Sequence, residues 1–242
     1  GVTVRITEDP AAPTGLMLKE RRTVTTQKVS YYRAGSAGSR ISPADLDPQL
    51  IAGASILHVS GITPALSGSA AATVRRAMEM ARENGVVVSF DLNYRANLWT
   101  AAAAGQSYRA LIPLADVVFA GDGEAALAVG NAGSPAVLAG RLADLGPAQA
   151  VIKLGSEGAV ACIDGELFQQ DAMPIQPVDT VGAGDAFVAG YLTELMAGST
   201  PAQRLKLAAK VGAFACLAYG DWEGLPRRAE LALLQQKESV TR

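Results

Sequence analysis

The sequence predicts one α/β domain with a mostly parallel central sheet and a small β appendage near its N-terminal end. Two observations carry that prediction. Short β-favouring apolar runs recur at Ala54–Val59, Val86–Phe90, Asp116–Ala120 and Ala150–Leu154, each separated from the next by helix-length sequence; such runs suit parallel strands covered on both faces. Residues 1–40 instead alternate apolar and polar side chains in short stretches, the pattern of a half-exposed sheet. With 242 residues, 49% of them apolar, the chain can bury a full core. No fixed-period repeat, low-complexity tract or linker divides it.

Each element has its own local reason. Gly15–Glu20 and Lys28–Arg33 read as strands joined by a polar turn. Ser42-Pro43 supplies an N-cap with proline at the first helical position, so a helix is expected there. Ala54–Val59 is expected to be a buried strand, and the alanine-rich stretch Ser67–Asn84 a helix stopped by Gly85. The strand Val86–Phe90 leads into helical sequence up to Leu114. After Asp116–Ala120 come helical segments from Glu124 and again over Ala136–Leu145. After Ala150–Leu154 comes a hairpin, Ala159–Ile163 and Glu166–Gln170, turning at Gly165. The short extended segment Ile175–Val178 then precedes two helices, Asp185–Met196 and Pro201–Ala218. The organisation expected is a small β appendage over residues 1–40 and an α/β body over residues 41–242.

Charge and cysteine content narrow the class. The formal net charge is −2 and both signs are spread along the chain, so nothing favours nucleic acid or an anionic membrane surface. No apolar stretch reaches the ~18 residues of a membrane span. Cys162 and Cys216 sit in apolar runs without metal-ligand spacing, which suits structural thiols in a reduced, cytoplasmic protein.

The most specific local signal is Asp179-Thr180-Val181-Gly182-Ala183-Gly184-Asp185, which opens a helix. Backbone N–H groups at a helix start lack internal partners and carry the positive end of the helix dipole, so such a turn binds anions. Gly182 and Gly184 let the backbone approach a ligand. Asp185, in the first turn, is placed to accept a proton from a hydroxyl attacking a bound phosphoryl group. An isolated Gly-x-Gly-Asp would more often be a tight turn with a helix cap. No Gly-x-x-x-x-Gly-Lys-Ser/Thr element is present, which excludes a Walker-type kinase.

Taken over all its fixed positions, the Asp179–Asp185 run resembles the signature of the PfkB (ribokinase-like) carbohydrate kinases. The resemblance extends from Gly1 to about Leu231 and implies a ribokinase-like three-layer fold, with residues 1–40 as β lid strands and residues 41–242 as the nucleotide-binding and catalytic domain. It implies Asp185 as catalytic base, with the N–H groups of Gly182, Ala183 and Gly184 as the anion hole. Lys153-Leu154-Gly155-Ser156-Glu157-Gly158 resembles the strand-loop bordering the nucleotide, with Lys153, Gly155, Ser156 and Gly158 as its cofactor-binding residues. Glu124 resembles the glutamate that holds magnesium through water. Tyr31-Tyr32-Arg33 and Asp91-Leu92-Asn93-Tyr94-Arg95 resemble the 2-keto-3-deoxygluconate kinases of this family. So do Pro13-Thr14-Gly15-Leu16, His58-Val59-Ser60-Gly61-Ile62 and Gly220–Pro226. An arginine fork suits the carboxylate of an acid sugar, which points to Arg33 and Arg95. Tyr31 would add a hydroxyl and a flat face, and Asn93 would serve sugar or phosphate. ATP and Mg2+ are the implied cofactors, a monovalent cation is an additional candidate, and a homo-oligomer is the implied assembly.

Several positions depart from the family pattern. Gly121 stands where an asparagine precedes Glu124, Met17 where a tyrosine is expected, and Ala209 where an asparagine often borders the adenine. The family's long N-terminal segment, with a Gly-Gly element that contacts the sugar, has no counterpart in this sequence. His58, the only histidine, falls in a buried-strand pattern and is read as structural. Two alternatives stand beside the acid-sugar reading: a kinase of the same family for a neutral sugar or nucleoside, and a truncated, non-catalytic nucleotide-binding relative.

Overall fold

The computed structural model describes residues 2–21 and 27–235. Among them, six strands form the main sheet: β3 (Ile56–Ser60), β4 (Val87–Asp91), β5 (Val117–Gly121), β6 (Gln149–Lys153), β7 (Ala159–Ile163) and β8 (Glu166–Gln170). They lie side by side in chain order. The pairings from β3 to β6 are parallel and the last two are antiparallel. A separate two-stranded antiparallel sheet, β1 (Leu16–Arg21) and β2 (Gln27–Tyr32), sets Met17 opposite Tyr31 and Lys19 opposite Val29. The polar turn expected between these two falls largely on residues 22–26, outside the described residues.

Seven α-helices complete the described chain: α1 (Pro48–Ala52), α2 (Gly68–Glu83), α3 (Ala101–Leu111), α4 (Asp122–Val129), α5 (Pro135–Ala143), α6 (Ala183–Met196) and α7 (Pro201–Ala215). Ser67, Thr100, Ser134 and Thr200 cap α2, α3, α5 and α7 through their side chains, each cap contributing about 1 kcal/mol. Successive side chains on a strand point to opposite faces. Val118, Ala120 and Ile152 therefore pack with α2–α5 side chains such as Met78, Tyr108 and Leu142. Val117, Phe119 and Val151 pack with Phe187, Tyr191 and Leu205 of α6 and α7. A strand buried on both faces has no polar face to alternate with, which is why these runs read as continuously apolar.

Three local expectations change. β3 is an edge strand among the described residues, and His58 on it is exposed rather than buried; burial on both faces needs neighbours that an edge lacks. Ser42 does form a capping box with Asp45, but only a single 3-10 turn, Pro43–Asp45, follows. Pro48 disfavours helix at the residue before it, and α1 restarts behind Asp47. The segment after β4 stays irregular from Leu92 to Trp99 before α3 begins, and that loop supplies part of the site. Among the described residues, no helix is long and apolar enough to cross a membrane.

Candidate active site

The glycine turn is shaped by a neighbouring backbone. Gly182 caps α6 in the left-handed region, with φ 80°, and a Cβ there would stand 2.2 Å from the Asp221 carbonyl oxygen. Only glycine meets both conditions. Asp179 anchors the turn from the other side: its side chain is fully buried, and Oδ1 accepts from the Val181 N–H at 3.1 Å. The N–H groups of Val178 and Asp179 both donate to the Cys216 carbonyl, at 2.8 and 3.2 Å, fixing the turn to the end of α7. Asp185 and Gly184 are exposed in the first turn of α6, while the Ala183 N–H makes a long 3.3 Å bond to Thr180 O.

The C-terminal ends of β4, β5 and β6 converge on the same region. Lys153 Nζ donates to Asp91 Oδ2 at 2.6 Å, with side-chain exposures of 18% and 1%. Asp91 Oδ1 is buried with no hydrogen-bond partner among the described residues, a deficiency that costs about 1–3 kcal/mol. Burial pushes the Asp91 pKa up to about 6 against the pull of Lys153, with Glu124 and Asp185 adding to the rise. Gly61 is needed beside it, since a Cβ would stand 2.0 Å from the Leu92 carbonyl oxygen. That carbonyl also accepts from the Tyr108 hydroxyl at 2.9 Å. Asn93 then turns the chain with φ 45°, a conformation asparagine tolerates better than most residues. The turn delivers the Tyr94 N–H to Glu124 Oε1 at 2.8 Å, while the Gly121 N–H donates to Oε2 at 2.7 Å. Glu124 thus ties the β4 loop to the start of α4.

A cavity of about 500 Å3 opens beside the turn. Lys153, Gly155, Ser156, Gly158 and Gly184 line one side of it, so five of the residues assigned from sequence to the nucleotide meet there. Gly158 has φ 98° and a Cβ would stand 2.0 Å from Gln170 O. The lining also includes Ala209, Gly212, Ala213 and Cys216, so the position where the family often has an asparagine presents an apolar side chain. Asn93, Gly182, Glu124 and Asp185 lie outside this lining, Asp185 directly following the lining residue Gly184.

The arginines expected to hold a sugar are engaged with neighbouring groups. Arg33 stacks its guanidinium 3.9 Å from the Tyr31 ring centroid, covering one of the faces that sequence reasoning offered to the ligand. Arg95 donates to the neighbouring Tyr94 carbonyl at 2.9 Å. Strand alternation puts Met17 and Lys19 on one face of the flap, and Lys19 shows where that face points. Its ammonium reaches Asp179 Oδ2 at 2.9 Å and Asp221 Oδ1 at 3.0 Å. Burial pulls the Lys19 pKa down, but the hydrogen bonds to the two carboxylates outweigh it and leave it raised. Sequence reasoning missed Lys19 and gave Asp91 no role. The signals available were the two-residue spacing from Met17 and the position of Asp91 at a strand's C-terminal end.

A three-layer domain whose sheet carries at its C-terminal edge a glycine turn, a convergent set of charges and a cavity, with a β flap reaching the turn through Lys19, defines an enzyme domain that holds an anionic ligand. The chain belongs to the pfkB family of carbohydrate kinases, whose model matches residues 1–228, and is therefore an ATP-dependent sugar kinase. The 2-dehydro-3-deoxygluconokinase of Thermoproteus tenax is 36% identical over 229 residues, covering 92% of this chain and 68% of that protein. The 2-dehydro-3-deoxygalactonokinase of Haloferax volcanii is 31% identical over 215 residues, covering 88% and 68%. Among solved structures, a PfkB protein from Polaromonas sp. JS666 is similar with a TM-score of 0.82 at 33% identity, covering 93% of this chain and 72% of its own. The ribokinase-like fold expected from the sequence is the one observed.

ATP and Mg2+ are the family's cofactors, and the residues present fit them. No cluster of three or more His, Cys, Asp or Glu side chains suited to caging a metal exists among the described residues. Mg2+ does not need one: it keeps several waters and takes one or two carboxylates together with substrate phosphates.

Proposed function

We propose that this chain transfers the γ-phosphoryl group of ATP to the terminal hydroxyl of 2-keto-3-deoxygluconate, giving the 6-phosphate. The observation that carries the reading is the Asp179–Asp185 turn: intact in sequence, αL at Gly182, with Asp185 exposed at the helix start, next in sequence to Gly184 of the cavity lining. Asp185 takes the hydroxyl proton, and the turn's N–H groups stabilise the charge on the moving phosphoryl group. Lys153, Gly155, Ser156 and Gly158 border the nucleotide, and Asn93 serves phosphate or sugar. Glu124 would hold Mg2+ through water, and the ion, when bound, supplies charge neutralisation at the phosphates. Tyr31, Arg33 and Arg95 take the acid sugar. Residues 1–40 act as the lid that excludes water and residues 41–242 as the catalytic body.

The likeness to the Thermoproteus tenax enzyme supports the acid-sugar assignment, and the Haloferax volcanii enzyme makes the C4 epimer the first competitor to test. Two observations favour a different substrate: Arg33 and Arg95 are already engaged, with the Tyr31 ring and the Tyr94 carbonyl, and Met17 offers no hydroxyl. A neutral-sugar kinase is therefore the second reading. ADP release from Mg·ATP with 2-keto-3-deoxygluconate, its galactonate epimer, ribose and fructose in parallel separates them. Turnover confined to the neutral sugars would refute the acid-sugar reading, and ATP binding without turnover of any sugar would refute the kinase mechanism. Repeating the assay in potassium and in tetramethylammonium buffers tests the monovalent cation.

Leu16, Leu18 and Tyr32 are exposed on the flap face opposite Met17 and Lys19, an apolar surface suited to a second copy of the chain. The reading is of a cytosolic homo-oligomer, and sedimentation velocity of the Leu18→Glu variant tests the assembly.

A further inference from the structure

We infer that Asp91 is a positioning residue for phosphoryl transfer that acts through Lys153, holding its ammonium against the Gly182–Gly184 turn where phosphoryl charge develops. The inference rests on the kinase reading above and adds to it a residue that reading leaves without a role.

Three observations carry it. The first is the path of the ion pair across the sheet. Asp91 ends β4 and Lys153 ends β6, with β5 between them; Asp91 is in register with Phe119, and Lys153 with Gly121. All four share one face of the sheet, the face that packs under α6. Gly121, on the crossing strand, presents no side chain to the bridge, and the pair closes at 2.6 Å. The second is the destination of the ammonium. A methyl group on Gly184 would stand 3.7 Å from Lys153 Nζ, so the charge lies against the turn, and Lys153 also walls the cavity.

The third is the incomplete bonding of Asp91. Its side chain is 1% exposed and Oδ1 has no partner among the described residues. A carboxylate kept for stability alone would have both oxygens satisfied, or would give way to apolar packing without loss. A buried carboxylate left half-satisfied beside the ammonium it binds argues that its charge is used. A lysine on a flexible four-carbon stem is a mobile charge. Fixed in advance, it stabilises developing charge without reorganising at the moment of reaction.

The test compares Asp91→Asn, Lys153→Met and the double variant in the full chain, each checked for folded fraction by near-UV circular dichroism. With Mg·ATP and 2-keto-3-deoxygluconate, Asp91→Asn should lower kcat per folded molecule about 100-fold. Its KM for ATP should change by less than about threefold, as expected for an interaction felt chiefly in the transition state. The double variant should be no slower than the worse single, because both remove one device. Acylation of Lys153 by acetic anhydride, followed by peptide mass spectrometry without substrate, should be several-fold faster in Asp91→Asn, since the amine is no longer held at 2.6 Å by the Asp91 carboxylate. Wild-type kcat in Asp91→Asn, multiplicative losses in the double variant, or unchanged acylation of Lys153 would each overturn the inference. Wild-type protein inert toward every sugar would refute the function proposed above instead, and the acylation comparison would still decide whether Asp91 holds Lys153.

Discussion

Replacing Gly182 by alanine probes whether the glycine turn is a shaped device or an ordinary helix start. Two effects add at this position. The backbone sits at φ 80°, where a Cβ costs about 1–2 kcal/mol. The new Cβ would also stand 2.2 Å from the Asp221 carbonyl oxygen and 3.0 Å from its carbonyl carbon. Ordinary contact begins near 3.4 Å, so one backbone must retreat by roughly 1 Å, at a further cost of about 1–3 kcal/mol. A combined loss of about 2–5 kcal/mol lowers Tm by roughly 5–15 °C in a chain of this size. The same 1 Å displacement at the anion hole should cut kcat about 100-fold. Gly198→Ala separates the two effects, because Gly198 has φ 70° and nothing within 4 Å of its Cβ position. That control should lose only the conformational part and keep full turnover. Thermal unfolding and ADP release below both transitions measure the pair. Equal Tm and equal kcat for the two variants would refute the close-approach argument.

Other outcomes follow from the same geometry. Glu124→Gln leaves one of the Tyr94 and Gly121 N–H groups facing an amide, so stability should fall by about 1–2 kcal/mol in urea unfolding, and the Mg2+ concentration for half-maximal turnover should rise. Lys19→Met strips Asp179 and Asp221 of the flap's cation; the sugar KM should rise more than the ATP KM in steady-state kinetics, and equal shifts would argue against a link between flap and turn. Because the Asp91 pKa is pushed up to about 6 among Lys153, Glu124 and Asp185, turnover should fall as pH drops through that value, and the Asp91→Asn profile should lack this limb. The raised pKa also means the folded state binds the extra proton. Its stabilising contribution, up to about 3 kcal/mol, is present below pH 4 and lost as pH rises through about 6; chemical unfolding of wild type and Asp91→Asn across that range checks the sign.

The fold was legible because its rules are local. Apolar runs at 117–120 and 150–152 must be strands buried on both faces, and Ser67 marks its helix start outright, while α5 begins one residue ahead of the expected Ala136, behind the cap Ser134. What failed needed neighbours. The run at 56–60 has the composition of a central strand, yet its burial depends on what pairs with its free edge, and His58 is exposed for that reason. Capping chemistry at Ser42 was also read correctly, but the length of a helix depends on the next proline as much as on its cap.

The site divides along the same line. A contiguous turn such as Asp179–Asp185 announces itself, since its glycines and its carboxylate act within one stretch of backbone. Asp91 and Lys153 are 62 positions apart, and neither residue type is unusual at the end of a strand. What joins them is the parallel register of β4, β5 and β6, together with a glycine on the strand they cross. A single sequence carries no register between distant strands, so a charge pair made by register stays silent until the sheet is assembled. Where such a pair forms at the edge that carries the glycine turn, its charge is aimed by the sheet itself. The fold then supplies catalytic electrostatics that no linear motif can spell.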